Sequence, residues 1–203
     1  IPEVLDVVAE VTGGPYRLNH TYTIYRWGGG YTGLHMHGTP IISKCQYHCR
    51  NGQMVSTLTK AVFPLLDCSE EDGCFAVVPG AHKSNFPRPW GNHPDENPAL
   101  QGVAAEAGDA IIFTEALCHV TLPWRVKSTR TTLFYKYTKT DEAYSQPKDF
   151  FDPSDADGWE GVNDRTRAIL SPPPLEAVER KIVLANKHNS SLSGLLFVTL
   201  AIL

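Results

Sequence analysis

Residues 107–137 read AGDAIIFTEALCHVTLPWRVKSTRTTLFYKY, and this stretch decides the fold. Gly108-Asp109 is typical of a turn, and the apolar run that follows at 110–113 is typical of a buried strand. A second strand is predicted at 130–137, where apolar and polar residues mix with aromatic ones. His119 stands between the two strands, eleven residues before Arg130. The stretch therefore predicts two strands that bring a histidine and an arginine to one end of a sheet.

Further short strands are predicted at near-regular spacing along the chain. They lie at 16–27, 41–47, 55–66 and 74–78, and Gly, Pro, Asn and Asp separate them. Helical patterns are confined to 1–14, 164–170 and 175–187, while 145–161 has the polar composition of a loop or lid. Because no helices alternate with the strands, we expect a mainly β sandwich or barrel with a few flanking helices.

Bulk properties limit the possible partners and compartment. The 203 residues suit a single domain, 1–203, and the opening residues predict a chain that lacks its N-terminus. A net charge of −4 without a basic stretch gives no reason to expect nucleic acid. Five cysteines, an odd number, favour reduced thiols and a cytoplasmic location. The apolar tail at 192–203 is shorter than the roughly 20 residues of a membrane span, so no membrane partner is expected. Its role and the oligomeric state stay open.

Three histidines suggest a metal centre. An iron site for oxygen chemistry needs two imidazoles and a third ligand on one face of the ion, with the other face open for dioxygen and a co-substrate. His35 and His37, one residue apart, together with the distant His119, suit the mouth of a β-barrel where neighbouring strands converge. Arg130 is then placed to bind the carboxylate of a keto acid on that metal.

Four sequence elements resemble the phytanoyl-CoA dioxygenase family of iron(II)- and 2-oxoglutarate-dependent oxygenases. They are Leu34-His35, DGCFAVVPGAHKSN at 72–85, AGDAIIFTEALCH at 107–119, and Arg130 followed by TTLFYKY at 131–137. The resemblance runs from about Tyr22 to Tyr137. It implies a double-stranded β-helix, a jelly-roll or cupin-like barrel, with the metal at one mouth.

The resemblance also implies roles for individual residues. His35 corresponds to the proximal iron ligand, His119 to the distal one, and Arg130 to the anchor for the far carboxylate of 2-oxoglutarate. The family's aspartate ligand corresponds to His37, and three outcomes are open there. His37 ligates iron and completes a three-histidine face, which is the set we expect; or it swings away and leaves a vacant position, as in related halogenases; or the metal binds poorly and the protein is inactive.

Five more residues are candidates for the site or its surroundings. Thr121, Tyr47 and Gln46 are expected to contact the co-substrate, and Trp124 is expected to border the mouth and contact the substrate. Glu115 is expected to assist a ligand and not to bind metal, because a strand continuous to the distal histidine would place it two rungs too far back.

The function that the resemblance implies is hydroxylation of a small organic or lipid-like substrate by dioxygen, with succinate and CO2 as co-products. Fe(II) and 2-oxoglutarate are the expected cofactors, and the identity of the substrate stays open. Two alternatives remain. One is a non-catalytic barrel that binds or senses a small molecule. The other is a three-histidine metal oxygenase independent of 2-oxoglutarate, in which Arg130 is a structural ion-pair residue.

Overall fold

A computed structural model describes residues 1–37, 44–84, 86–94, 97–144 and 159–173. Their regular structure is dominated by short strands. In chain order the elements are α1 (Pro2–Thr12), β1 (Tyr16–Arg26), β2 (Thr32–His35), β3 (Tyr47–Arg50), β4 (Gln53–Ser56), β5 (Thr59–Pro64), β6 (Phe75–Val77), a 3-10 turn (Ala81–Lys83), β7 (Gln101–Val103), β8 (Ile111–Thr114), β9 (His119–Thr121), β10 (Arg130–Lys139) and α2 (Asp164–Leu170).

Two four-stranded sheets form the barrel. The major sheet has the order β1-β10-β5-β8 and the minor sheet β2-β9-β6-β7, while β3 and β4 form a separate hairpin. The pairings within these sheets are antiparallel. The prediction of a mainly β, jelly-roll barrel with a few flanking helices is confirmed.

Helix α1 covers the outer face of the major sheet. Val4 and Val8 are buried and pack with Ala61 of β5 and Tyr137 of β10. The helix ends at Gly13 in the left-handed region, with φ 75°. An added Cβ there would lie 2.5 Å from the carbonyl oxygen of Met54, so only glycine fits. The helix predicted at 1–14 is therefore confirmed, and it buries one face of the sheet that carries much of the site.

Successive side chains along the strands of the minor sheet point alternately to its outer and inner faces. The outward side chains of this sheet form an apolar cluster that the segment after the 3-10 turn covers; its buried members are Leu34, Met36, Ala76, Val78, Cys118 and Val120. Inside the barrel, Phe75 of β6 packs with Val62 and Phe113 from the major sheet. The residues between the outward ones, including His35 and His119, therefore face the interior.

Several predicted elements differ from the observed ones or lie outside the described residues. The strand predicted at 55–66 is two strands, because Thr57 and Leu58 separate β4 from β5. Residues 41–43 are not described, and the strand predicted at 41–47 begins only at Tyr47. The short strands β2, β7 and β9 were not predicted. The helix predicted at 164–170 is confirmed as α2, which Asn163 caps by accepting from the Thr166 N–H.

The helix predicted at 175–187, the tail at 192–203 and most of the loop at 145–161 lie outside the described residues. Within the described part of the chain, neither helix combines the length and apolar character needed to cross a bilayer.

Candidate metal centre

Two imidazoles meet where β2 ends and β9 begins. His35 and His119 are directly paired residues of this antiparallel ladder, and their ring centroids are 4.1 Å apart. His119 is buried and His35 is half-buried. The pairing of two short strands therefore brings residues 84 positions apart in sequence into contact.

Backbone carbonyls fix the orientation of both rings. Nδ1 of His35 donates to the oxygen of Gly33, and Nδ1 of His119 donates to the oxygen of Leu117, each at 2.7 Å. The proton on Nδ1 leaves the Nε2 lone pair of each ring available to a cation. Burial lowers the pKa of His35 to about 4 and that of His119 well below its ordinary value, so both rings are neutral near pH 7.

The carboxylate of Glu115 lies close to these two rings. β8 ends at Thr114, and the Leu117 N–H donates to the Thr114 oxygen in a turn, so the strand does not run on to His119. The side chain of Glu115 consequently reaches the imidazoles instead of lying two rungs behind them. Ligand atoms of Glu115, His35 and His119 all lie within 4.8 Å of one another.

Glu115 is 1% exposed and is surrounded by nitrogen groups. Its Oε1 lies 2.6 Å from Nδ1 of His37, and its Oε2 lies 2.9 Å from Nζ of Lys60 and 3.7 Å from Nζ of Lys136. Burial alone would raise the pKa of this carboxyl. The hydrogen bond from His37 and the two ammonium groups outweigh that effect and hold the pKa well below its usual range. Glu115 is therefore an ionised carboxylate.

His37 lies beside the cluster of His35, Glu115 and His119, and it contacts this cluster through Glu115. Its Nδ1 donates to the carboxylate, and its backbone N–H donates to the Glu115 carbonyl at 3.3 Å. The side chain is 31% exposed. Among the described residues, the set of mutually close ligand atoms contains His35, Glu115 and His119, with His37 outside it.

Lys60 is a site residue that sequence reasoning missed. It lies on β5 in the middle of the major sheet, is 4% exposed, and places Nζ 3.2 Å from Nε2 of His119. Burial lowers its pKa to about 8, although Glu115 opposes that shift. The available signal was a single charge inside the stretch 58–66, in which the other residues except Thr59 are apolar.

The donor set suits a divalent metal. Two imidazoles and one carboxylate on a common face are the ligands that non-haem iron(II) uses in oxygen chemistry. A cationic group already lies at this place, because the Lys60 ammonium contacts both the Glu115 carboxylate and the His119 lone pair. We conclude that these residues fit a cation.

A small cavity that includes Thr121, at the other end of β9 from His119, is lined by two guanidinium groups. Its walls are Ile24, Arg26, Thr121, Arg130, Thr132 and Phe134. Arg26 and Arg130 are directly opposite each other on β1 and β10, a like-charge pairing that is unfavourable without an anion. Burial and then Arg130 lower the pKa of Arg26. The cavity therefore has the charge of an anion site, and sequence reasoning missed its second arginine.

Hydrogen bonds position both arginines. Arg130 is 6% exposed, and its Nη1 donates to the Gly73 oxygen at 3.0 Å. Its Nε has no hydrogen-bond partner within the described part of the chain. Nη2 of Arg26 donates to Thr32 Oγ1 at 2.6 Å. A buried donor without a partner is unfavourable, so an anion in the cavity would satisfy it.

The structure brings some of the predicted co-substrate residues together and separates others. Arg130 and Thr121 share the cavity. Tyr47 lies on the β3–β4 hairpin with its ring against His82 at 4.6 Å, and the backbone N–H of Gln46 donates to Thr57 Oγ1. Trp124 is 1% exposed and packs on Cys68 and Cys74 beneath the Arg130 guanidinium. The Trp124 ring packs under the guanidinium of Arg130 and is not at the mouth of the barrel, where it was expected.

Residues 43–132 match the sequence profile of the phytanoyl-CoA dioxygenase family. This match confirms the resemblance drawn from the sequence. None of the curated protein sequences compared with the chain matches it.

Solved structures with the same fold include HygX from Streptomyces hygroscopicus with nickel and 2-oxoglutarate bound. It superposes with a TM-score of 0.64 at 24% identity, covering 74% of this chain. The chain spans 65% of the length of HygX. The epimerase SnoN, in complex with Fe3+, α-ketoglutarate and nogalamycin RO, superposes with a TM-score of 0.52 at 19% identity, covering 69% of this chain and 56% of SnoN. At these identities the likeness establishes the jelly-roll fold.

Proposed function

Since residues 43–132 match the phytanoyl-CoA dioxygenase family, we propose that this protein is an iron(II)- and 2-oxoglutarate-dependent oxygenase. The observation that carries the proposal is the cluster of His35, Glu115 and His119, with all ligand atoms within 4.8 Å of one another. The 2-oxoglutarate bound in HygX and SnoN, with nickel or Fe3+, supports the same cofactors on this fold.

The three side chains have separate tasks in this proposal. The Nε2 atoms of His35 and His119 supply neutral donors, because backbone carbonyls hold the proton on Nδ1. Glu115 supplies the negative charge that the family's aspartate would bring, from a turn and not from the second position after the first histidine. His37 orients that carboxylate through its 2.6 Å hydrogen bond.

The arginine-lined cavity is proposed to hold the far carboxylate of the co-substrate. Thr121 lies two residues from His119 on the same strand, a separation of about 7 Å in an extended chain. A five-carbon keto acid bound at the metal can span that gap and place its far carboxylate beside Arg130. Arg26 and Thr132 line the same cavity. Iron(II) with 2-oxoglutarate supplies oxidative chemistry with dioxygen, which converts the keto acid to succinate and CO2.

The substrate is proposed to be a small organic or lipid-like molecule, and hydroxylation is the proposed outcome. The family match and the shared fold support an oxygenase of this kind and leave the substrate open. The five free cysteines, four of them buried, support a reducing compartment such as the cytoplasm.

Anaerobic titration of the metal-free protein with iron(II) and then 2-oxoglutarate tests the proposal. A saturable visible charge-transfer band from the chelated keto acid is expected, and it should be lost in His119→Ala and Arg130→Ala. His48→Ala, at an exposed position on the β3–β4 hairpin, is the matched control and should keep the band. Iron binding without the band would contradict the role of 2-oxoglutarate and favour a keto-acid-independent metal oxygenase.

A second candidate is a metal-free barrel that binds a small anion. The contact between Lys60 Nζ and His119 Nε2 favours it, because this ammonium occupies a lone pair that a metal needs. The same titration separates the two: an anion-binding barrel would bind 2-oxoglutarate through its arginines without any iron.

A further inference from the structure

Lys60 has an unusual position among the charged residues of the barrel. It lies on β5 directly opposite Lys136 of β10, and both side chains are buried. Two like charges side by side on one face of a sheet are unfavourable unless an anion lies between them. Glu115 provides that anion, at 2.9 Å from Lys60 and 3.7 Å from Lys136.

The two lysines differ in a second contact. Nζ of Lys60 also lies 3.2 Å from Nε2 of His119. Because Nδ1 of His119 donates to the Leu117 carbonyl, Nε2 has one lone pair, which accepts from the ammonium. A metal ion on an imidazole uses that same lone pair at a distance of about 2.1 Å. An ammonium and a metal ion therefore cannot occupy His119 together.

We propose that the Lys60 ammonium is an internal cation that occupies the metal position in the metal-free protein, so that metal binding is an exchange of this ammonium for the ion. The inference rests on the proposed function, because it takes His35, Glu115 and His119 as the metal ligands. It goes beyond that function by making a residue of the major sheet a determinant of metal affinity.

Two consequences follow for the protein. Without metal, the ammonium neutralises Glu115 and keeps the ligands assembled, which a buried carboxylate requires. During loading, the metal must displace a tethered competitor and tolerate a positive charge nearby, so affinity is lower than the same three ligands would otherwise give.

The test is metal binding by full-length, metal-free protein carrying Lys60→Met, a change that shortens the side chain by one atom and removes the charge. Co(II) binding is followed by its visible absorption and by calorimetry. We expect Lys60→Met to bind Co(II) at least about tenfold more tightly than the wild type. Its metal-free form should melt at a lower temperature, and Co(II) should raise that temperature by more than it does in the wild type.

Lys136→Met is the matched control. It removes the same charge from the same carboxylate but leaves the Lys60 ammonium on His119, so a clearly smaller gain in affinity is expected. Equal gains in both variants would overturn the exchange, since charge alone would explain them. Lys60→Gln, which keeps a hydrogen-bond donor near Glu115, replaces Lys60→Met if that variant does not fold.

The remaining outcomes separate this inference from the proposed function. Co(II) binding by the wild type with the same affinity as both Lys60 variants would overturn the exchange and leave the proposed function intact. Failure of the wild type and of both Lys60 variants to bind Co(II) would overturn both.

Discussion

The minor and major sheets contribute opposite kinds of chemistry to the same barrel interior. The minor sheet presents His35 and His119, which are neutral and held by backbone carbonyls. The major sheet presents ammonium and guanidinium groups, of which Lys60 and Lys136 contact Glu115. Glu115 lies on the connection from β8 of the major sheet to β9 of the minor one. The comparison indicates separate tasks: the minor sheet supplies the imidazoles of the proposed metal site, the major sheet supplies positively charged groups, and Glu115 lies close to members of both.

The largest effect should come from removing the carboxylate of Glu115. Glu115→Ala takes away the proposed anionic ligand and leaves two buried ammonium groups without their counter-charge. We expect metal affinity to fall by at least about a hundredfold and the free energy of unfolding to fall by about 3–5 kcal/mol. Calorimetric metal titration and urea denaturation measure the two effects. Unchanged metal affinity in Glu115→Gln, the conservative variant, would place the third ligand elsewhere.

The arginines of the major sheet give the next largest effect. Arg130→Gln should weaken 2-oxoglutarate binding by about a hundredfold, because a buried, charge-assisted contact is lost. Arg26→Gln should weaken it by about tenfold, since Arg26 is less buried and keeps Thr32 as a partner. Binding is measured by titration of the metal-loaded protein. Metal affinity serves as the control. A drop in metal affinity in either variant would contradict separate roles for the arginines and the metal ligands.

Substitution of His37 tests whether this residue orients a ligand or is itself a ligand. His37→Ala removes a hydrogen bond to Glu115 and should lower metal affinity by about tenfold, as expected of a residue that orients a ligand. His119→Ala is the comparison and should lose as much metal affinity as Glu115→Ala, because it also removes a proposed ligand. If the two variants lose affinity equally, His37 is itself a ligand and the site is the three-histidine face.

A different kind of effect, on stability and not on binding, is a pH dependence in the metal-free protein. Burial gives His35 a pKa of about 4 in the folded state, against about 6.5 when unfolded. The unfolded chain binds the proton first, so this contribution is complete above pH 6.5 and is lost as the pH falls toward 4. For a half-buried ring we expect about 2 kcal/mol, seen by urea denaturation at pH 7 and pH 4.5. His35→Asn should lose less stability over this range, whereas His48→Asn should behave as the wild type.

The parts of this arrangement that follow from local sequence could be predicted. Gly108-Asp109 before an apolar run predicts a turn and strand, and β8 occurs there. The positions of Lys60 and Glu115 depend on non-local geometry. Lys60 contacts His119 because the pairing of β5 with β10 and β8 fixes its place in the major sheet. Glu115 lies close to the histidines because a turn interrupts the strand that its neighbours suggested. Register between distant strands and the exact end of a short strand are not encoded in local periodicity.

The alternation of side chains along the minor sheet has a consequence for oxidative damage. Met36 stands between His35 and His37, and Cys118 directly precedes His119, yet both sulfur side chains point to the outer apolar cluster, 7% and 1% exposed. One layer of backbone thus separates oxidisable sulfur from any oxidant made inside the barrel. A slip of β2 or β9 by one residue would reverse this and bring a thioether or thiol inside. Sulfoxide at Met36 and sulfinate at Cys118, read by mass spectrometry after turnover, would therefore record how often these strands lose their register.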